Sequence, residues 1–128
     1  MERYNPNEQI KMYLVEDDPL IRDSLVRFVE TKADVEVVGS AAGESEARIW
    51  LASNPTSWDV AVVDMFLSQG SGLSVVAACR KRPRGKKLVV LTSCATHHIR
   101  QRCIDAGADA VFDKSNQLDE FIRFVTVH

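Results

Sequence analysis

Apolar positions along the chain follow two different spacings. Short β-branched apolar runs are typical of strands. Five such runs are predicted to be strands: Ile10–Val15, Val35–Ser40, Val60–Val63, Leu88–Leu91 and Ala110–Phe112. Between and after them, apolar residues recur at the three- and four-residue spacing of amphipathic helices. This spacing predicts five helices, one beginning at Pro19 and the others over Glu44–Ala52, Leu73–Arg82, His97–Ala106 and Gln117–Val127.

The regular alternation of strands and helices predicts an α/β fold. Parallel strands need crossover connections, which helices provide. Two of the strands, at 60–63 and 88–91, are apolar throughout, as strands covered on both faces should be. We therefore expect one domain over residues 1–128, with its core at about 10–127. Its expected architecture is a doubly wound, five-stranded parallel sheet in the flavodoxin-like order 2-1-3-4-5, with five helices.

Size and charge exclude several kinds of function. A chain of 128 residues has room for about one domain. Sixteen basic and eighteen acidic residues give a net charge of −2, which favours neither nucleic acid nor an anionic membrane as a partner. Three cysteines without a CxxC pair are typical of a reduced compartment. We expect a cytoplasmic domain that binds neither nucleic acid nor membrane directly.

One segment departs from this even balance. Six of the eight residues from 80 to 87 are Lys or Arg. Such a run is usually a solvated surface. The alternative is a docking surface for an acidic partner.

Polar side chains gather where the predicted strands end. In open α/β sheets, ligands bind at the carboxyl ends of the strands. The residues found there are Glu16-Asp17-Asp18, Asp64, Thr92-Ser93 and Asp113-Lys114. If strands one and three are neighbours, Asp17, Asp18 and Asp64 lie close together, and their charges repel unless a cation intervenes. Oxygen ligands without Cys or His select magnesium or manganese.

This set of side chains suits transfer of a phosphoryl group to a carboxylate. Asp64 would act as the nucleophile, beside magnesium held by Asp64 with Asp17 or Asp18. Lys114 would neutralise a phosphoryl oxygen and Thr92 would donate a hydrogen bond to the attached group. Because no residue is an obvious base for a substrate hydroxyl, the reaction is expected to stop at the aspartyl-phosphate. The protein would then be no enzyme beyond catalysing its own phosphorylation and dephosphorylation.

A structural reading of the acidic run stays open beside this one. The pair Asp18-Pro19 is typical of a helix N-cap followed by proline at the first helical position. Capping needs a single acid, whereas the run supplies three.

The ordered motifs resemble the receiver domain of bacterial two-component response regulators, the CheY-like family. The resemblance covers about residues 10–127. Gly72, eight residues after Asp64, also fits the family pattern. The motifs that carry it are Glu16-Asp17-Asp18, Val62-Val63-Asp64-Met65, Leu91-Thr92-Ser93 and Ala106-Gly107-Ala108-Asp109-Ala110-Val111-Phe112-Asp113-Lys114.

This resemblance implies a role for each matching residue. Asp64 would be the phosphoacceptor, assisted by Lys114, and Thr92 and Phe112 would be the switch residues. Magnesium would be bound by Asp17, Asp18, Asp64 and the backbone carbonyl of Phe66. A sensor histidine kinase or a phosphotransfer protein would donate the phosphoryl group. The fourth helix, fifth strand and fifth helix would form the switched face, which is also a candidate dimer surface.

The output of the domain is open between two alternatives. The chain ends within or just after the fifth helix, with no DNA-binding module following. If it is complete, it acts on a downstream protein. If it is an excised piece, the output domain has been removed.

The chain departs from the family pattern at several positions. Ser68 stands where the family usually has proline, and Ser93 where a smaller residue is common. Phe66 and Cys94 occupy the positions that influence loss of the phosphoryl group, and neither orients an attacking water well. We therefore expect a long-lived phosphorylated state.

Three other functions compete with a phosphorylated receiver. A pseudo-receiver would signal on the same fold without phosphate, although the acidic, hydroxyl and lysine positions are all filled. A haloacid dehalogenase-type phosphatase needs a second Asp where Phe66 stands. A nucleotide-binding protein would need a glycine-rich phosphate loop after the first strand, and the chain has none there.

Overall fold

The structure, a computed structural model, describes residues 9–127. Its strands are β1 (Ile10–Val15), β2 (Val35–Ala41), β3 (Val60–Val63), β4 (Lys87–Thr92) and β5 (Ala110–Asp113). Its helices are α1 (Pro19–Lys32), α2 (Glu44–Ser53), α3 (Gly72–Ala78), α4 (His97–Ala106) and α5 (Leu118–Thr126). Over residues 9–127, no helix is long and apolar enough to cross a bilayer.

All five strands are parallel and lie in the order β2-β1-β3-β4-β5. The predicted fold and strand order are therefore confirmed. β1 pairs with both β2 and β3, with Met12 beside Val60 in the second pairing. Strand order reverses at β1 because the chain crosses from β2 to β3 past it. This places the carboxyl ends of β1 and β3 side by side at the position where such sheets bind ligands.

The sheet separates two apolar cores, one on each face. Successive side chains of a strand point to opposite faces, so Tyr13 belongs to one core and Leu14 to the other. The Tyr13 core is covered by α2, α3 and α4, whereas the Leu14 core is covered by α1 and α5. Burial on both faces explains why β3 is apolar throughout: its four residues are all buried.

The predicted boundary of α3 is wrong. The helix begins at Gly72 and ends at Ala78, four residues before the predicted end at Arg82. The Arg82 guanidinium donates to the Cys79 carbonyl at 3.1 Å and to the Lys86 carbonyl at 2.9 Å, which holds this segment in a turn. β2, β4 and β5 are each one or two residues longer than predicted, and α5 is one residue shorter at each end.

Part of the basic run has a structural role. Lys86 Nζ donates to the Trp58 carbonyl and Lys87 Nζ to the Phe124 carbonyl, both at 2.6 Å. The Arg82 guanidinium forms an ion pair with Asp109 at 2.7 Å. Arg80 likewise donates to the Asp105 carbonyl at 3.2 Å. Four of the six basic residues therefore bond to groups of the fold itself, so the run is not simply a solvated surface.

Candidate functional site

Backbone hydrogen bonds continue past the strand ends and fix the residues that follow. The Asp64 amide donates to the Val15 carbonyl at 2.9 Å, which joins the ends of β3 and β1. The Lys114 amide donates to the Thr92 carbonyl at 3.0 Å, which joins the ends of β5 and β4. The side chains at this edge are thus carried by the rigid sheet rather than by free loops.

Three carboxylates form a compact acidic cluster at this edge. Glu16, Asp17 and Asp64 each offer one oxygen, and these oxygens all lie within 4.8 Å of one another. Glu16 is only 2% exposed and Asp64 only 9%. Carboxylates this close together repel one another, and burial strengthens the repulsion unless a cation neutralises their charge.

Lys114 supplies part of the compensating positive charge. Its ammonium group bonds to the Glu16 carboxylate and to Asp64 Oδ2, the latter at 3.1 Å. Burial lowers the pKa of Lys114, but its bonds to Glu16 and Asp64 outweigh this and raise the pKa above the ordinary value. Burial raises the pKa of Glu16 despite the bond from Lys114. Lys114 is therefore held charged beside the nucleophile candidate.

Asp17 is held from the β3–α3 loop. Its Oδ2 accepts a hydrogen bond from the Ser68 amide at 2.8 Å. Slight burial opposes ionisation of Asp17, but the bonds from Ser68 outweigh it and lower the pKa of the carboxyl. A proline at position 68 has no amide hydrogen to donate. The departure at Ser68 thus adds a contact that proline cannot make.

Asp18 does not join the acidic cluster, and here the sequence interpretation is corrected. Its Oδ1 accepts from the Leu20 amide at 2.9 Å and from the Ile21 amide at 3.3 Å, so it caps α1. The side chain is exposed, and Pro19 follows it in the first helical turn. The acid that joins Asp17 and Asp64 is Glu16, directly after the last residue of β1.

The two predicted switch residues lie on β4 and β5. Thr92 is fully buried at the end of β4, and its hydroxyl accepts from the Cys94 amide at 3.4 Å. Phe112 is half-buried and packs against Phe121 and Phe124 of α5, with ring centroids 6.1 and 5.8 Å apart. A change in the position of Thr92 therefore affects the loop after β4, and a change in the position of Phe112 affects α5.

The β3–α3 loop passes very close to Asp64. The Phe66 amide donates to Asp64 Oδ1 at 3.3 Å, while the Phe66 ring is 54% exposed. A Cβ atom on Gly72 would lie 1.9 Å from the Asp64 carbonyl oxygen, which is a severe clash with backbone. Only glycine therefore fits at the start of α3 in this arrangement.

The donor chemistry of the site fits a hard divalent cation. The cluster offers only carboxylate oxygens, and three carboxylates facing one ammonium group leave an excess of negative charge. Oxygen ligands without nitrogen or sulfur are those that magnesium and manganese prefer. The residues that could hold the ion are Asp17 and Asp64, with Glu16 beside them.

Two features of the site were missed by sequence reasoning. The role of Glu16 was obscured because the adjacent Asp17-Asp18 pair matched the expected acid pair by residue type. A usable signal was present, since Asp18-Pro19 is itself a helix-start pattern and its use in capping leaves Glu16 and Asp17 for the site. The bond between Asp17 and Ser68 joins residues 51 positions apart, and no local pattern predicts it.

Comparison with protein families gives one match that covers most of the chain. A model of the response regulator receiver domain matches residues 12–126. The DNA-binding transcriptional activator DevR/DosR of Mycobacterium tuberculosis is 30% identical over 117 residues, which are 91% of this chain and 52% of that protein. A nitrate/nitrite response regulator homologue of Haemophilus influenzae is 27% identical, over 91% of this chain and 55% of that protein. The chain thus spans about half the length of these relatives.

Solved structures give the same fold. The BeF3-activated N-terminal receiver domain of Klebsiella pneumoniae RstA superposes with a TM-score of 0.80 at 21% identity, covering 92% of this chain and 97% of that one. The response regulator domain of Thermotoga maritima CheB superposes with a TM-score of 0.79 at 20% identity, covering 94% and 99%. At these identities the likeness concerns the fold alone.

Proposed function

Because the chain belongs to the response regulator receiver domain family, we propose that it accepts a phosphoryl group on Asp64 and passes the signal on through its surface. The observation that carries the proposal is the arrangement around Asp64, whose Oδ2 lies 3.1 Å from Lys114 Nζ within the acidic cluster. A nucleophilic carboxylate, a charged lysine and an oxygen-only cation site are the parts that phosphoryl transfer requires.

The donor in this proposal is the phosphohistidine of a sensor kinase or of a phosphotransfer protein. An Asp64 carboxylate oxygen forms a bond to phosphorus while the bond from phosphorus to the histidine nitrogen breaks. The donor imidazole leaves with that electron pair. Lys114 neutralises charge on the phosphoryl oxygens, and the Thr92 hydroxyl turns from the Cys94 amide to donate to the attached group. The domain catalyses only this step and the later hydrolysis.

Magnesium, when bound, would neutralise negative charge on the transferring group. Asp17 and Asp64 would hold it, with the backbone carbonyl of Phe66 as a further ligand. Glu16 is placed to keep Lys114 charged and correctly aimed, because it bonds the same ammonium group that Asp64 does.

Intact-mass spectrometry tests the proposed function. The protein is incubated with acetyl phosphate and magnesium, and we expect the mass of one phosphoryl group to be added. Asp64→Asn removes the nucleophile but keeps the shape of the side chain, so this variant should remain unmodified. Chelation of magnesium should likewise stop modification of the parent. A parent protein that stays unmodified with ample magnesium would instead favour the pseudo-receiver.

Because residue 66 is a phenylalanine, we expect a long lifetime for the phosphorylated state. Phe66 lies two residues after Asp64, its amide donates to Asp64 Oδ1 at 3.3 Å, and its side chain is 54% exposed. A phenyl ring offers no hydrogen bond to orient an attacking water. We expect Phe66→Asn to lose phosphate faster than the parent when the decay of the phosphorylated mass is followed. Equal decay rates would contradict this role.

The output face in this proposal consists of α4, β5 and α5. Phosphorylation would shift Thr92 at the end of β4 and repack Phe112 against α5. The face would then bind a downstream protein, a second receiver or an output domain. Full-length relatives include a transcriptional activator that binds DNA, and such an output is consistent with this chain matching about half of their length.

A further inference from the structure

Arg100, on α4, is bonded to three other parts of the domain at once. Its Nε donates to the Ala95 carbonyl at 2.9 Å, in the loop that follows β4. Its Nη1 donates to the Val111 carbonyl in β5 at 2.7 Å, and its Nη2 to Gln117 Oε1 at 2.6 Å. A planar guanidinium keeps its donors in a fixed fork, so these three acceptors are held in one geometry.

Gln117 extends this connection to the loop that carries Lys114. Its side-chain Oε1 accepts a second bond, from the Asp113 backbone amide at 2.9 Å. The backbone amide of Gln117 donates to the Asp113 carbonyl, also at 2.9 Å. The segment from Asp113 to Gln117 is thereby closed on itself. Lys114 lies within it and reaches Asp64.

We propose that Arg100 and Gln117 form a clasp that couples the phosphorylation site to α4. The inference rests on the proposed function. One end of the clasp closes the Lys114 loop, and the other holds the loop after Thr92 together with the start of α4. A backbone shift at Lys114, or in the loop after Thr92, would pull on these bonds, because they hold the Asp113 amide and the Ala95 carbonyl. The clasp therefore transmits the shift into α4, and Arg100 acts as a positioning residue rather than a catalytic one.

Amide chemical shifts measured by NMR test the clasp. The protein is saturated with magnesium and beryllofluoride, which stands in for the phosphoryl group. In the parent, amides near Asp64 and amides of α4 should both shift. In Arg100→Lys, which keeps the charge but loses the fork, amides near Asp64 should still shift, while those of α4 should lose most of their response. The matched control is Arg102→Lys, an exposed arginine of the same helix, which should behave as the parent does.

Each outcome has a definite meaning. If the α4 amides of Arg100→Lys respond as fully as those of the parent, the clasp does not couple the two regions. If the amides near Asp64 also stop responding, Arg100 acts on binding and the coupling proposal is wrong. A parent that shows no shift at all contradicts the proposed function instead. Should Arg100→Lys unfold, Gln117→Met removes the shared acceptor from the other side and is judged by the same two sets of amides.

Discussion

At the scale of single residues, Glu16 and Asp18 have different roles although they lie only two positions apart. Glu16 is buried and bonded to Lys114, whereas Asp18 is exposed and bonded to the first amides of α1. Both are acidic, yet only Glu16 contributes charge to the cluster around Asp64. Their substitutions should therefore affect different properties of the protein.

Glu16→Gln should weaken magnesium binding, and Asp18→Asn should leave it unchanged. We expect a loss of about tenfold or more in affinity for Glu16→Gln, the size found when a partner of a metal ligand is removed. Asp18→Asn keeps a capping side chain, whereas Asp18→Ala should cost about 1 kcal/mol of stability. Calorimetric titration and urea unfolding measure the two effects. If Asp18→Asn bound magnesium more weakly than Glu16→Gln does, Asp18 rather than Glu16 would contribute to the metal site.

Because Tyr13 is buried, we expect the free energy of unfolding to depend on pH in the alkaline range. The residue is fully buried and its ring stacks on Trp50 with centroids 4.1 Å apart. Burial, and then the nearby charge of Glu46, raise the pKa of its hydroxyl far above the ordinary value. The unfolded chain releases this proton near pH 10 while the native state keeps it, so the free energy of unfolding falls as pH rises above about 10.

Tyr13→Phe removes the titrating hydroxyl and should flatten this fall. Urea unfolding of parent and variant across the alkaline range gives the comparison. Identical slopes in the two proteins would show that Tyr13 does not titrate differently in the native and unfolded states.

At the scale of elements, α5 is attached to the sheet mainly through its apolar side. Phe121 is 1% exposed and meets Phe112 of β5 edge-on. Lys87 of β4 donates to carbonyls at the end of the helix, which include that of Phe124. The helix is thus fixed along its length by burial and at its end by a cation.

Phe121→Ala should cost about 3–5 kcal/mol of stability, the usual loss for a buried phenylalanine. The matched control is Phe66→Ala, because Phe66 is 54% exposed and its loss should change stability by no more than about 0.5 kcal/mol. Chemical unfolding of both variants measures the difference. Similar losses in the two variants would contradict the packing described for α5.

The elements differ in how well their sequences predict them. β3 lies where predicted because a strand buried on both faces is marked by an uninterrupted apolar run. β1 also lies where predicted, although the exposed Lys11 interrupts its apolar run. The end of α3 was predicted four residues too late because the chain turns after Cys79. Pro83 has no amide hydrogen to donate to the Cys79 carbonyl, which accepts from the Arg82 guanidinium instead. The bond between Ser68 and Asp17, by contrast, joins residues 51 positions apart and leaves no periodic signal.

At the scale of the whole molecule, the strand order connects the acidic cluster with the face proposed for output. The crossing of the chain past β1 brings the ends of β1 and β3 together. Lys114 then connects this pair to β5, and Arg100 connects β5 to α4. Binding at the acidic cluster is therefore linked to the stability of the native fold as a whole.

Magnesium should stabilise the protein by mass action. A ligand that binds only the native state adds about 2.7 kcal/mol at a concentration one hundred times its Kd. Urea unfolding with saturating magnesium, compared with chelated protein, should show a gain of this kind. Glu16→Gln should show a smaller gain at the same magnesium concentration. No gain in the parent would mean that the cluster does not bind the ion.

In the proposed function, acids from the ends of β1 and β3 share one cation beside Asp64. Crystals grown with manganese test this most directly, because anomalous scattering locates the ion itself. We predict a single peak in contact with the carboxylates of Asp17 and Asp64 and away from that of Asp18. Crystals that contain manganese with no peak between Asp17 and Asp64, or with a peak bound at Asp18 instead, would contradict the account.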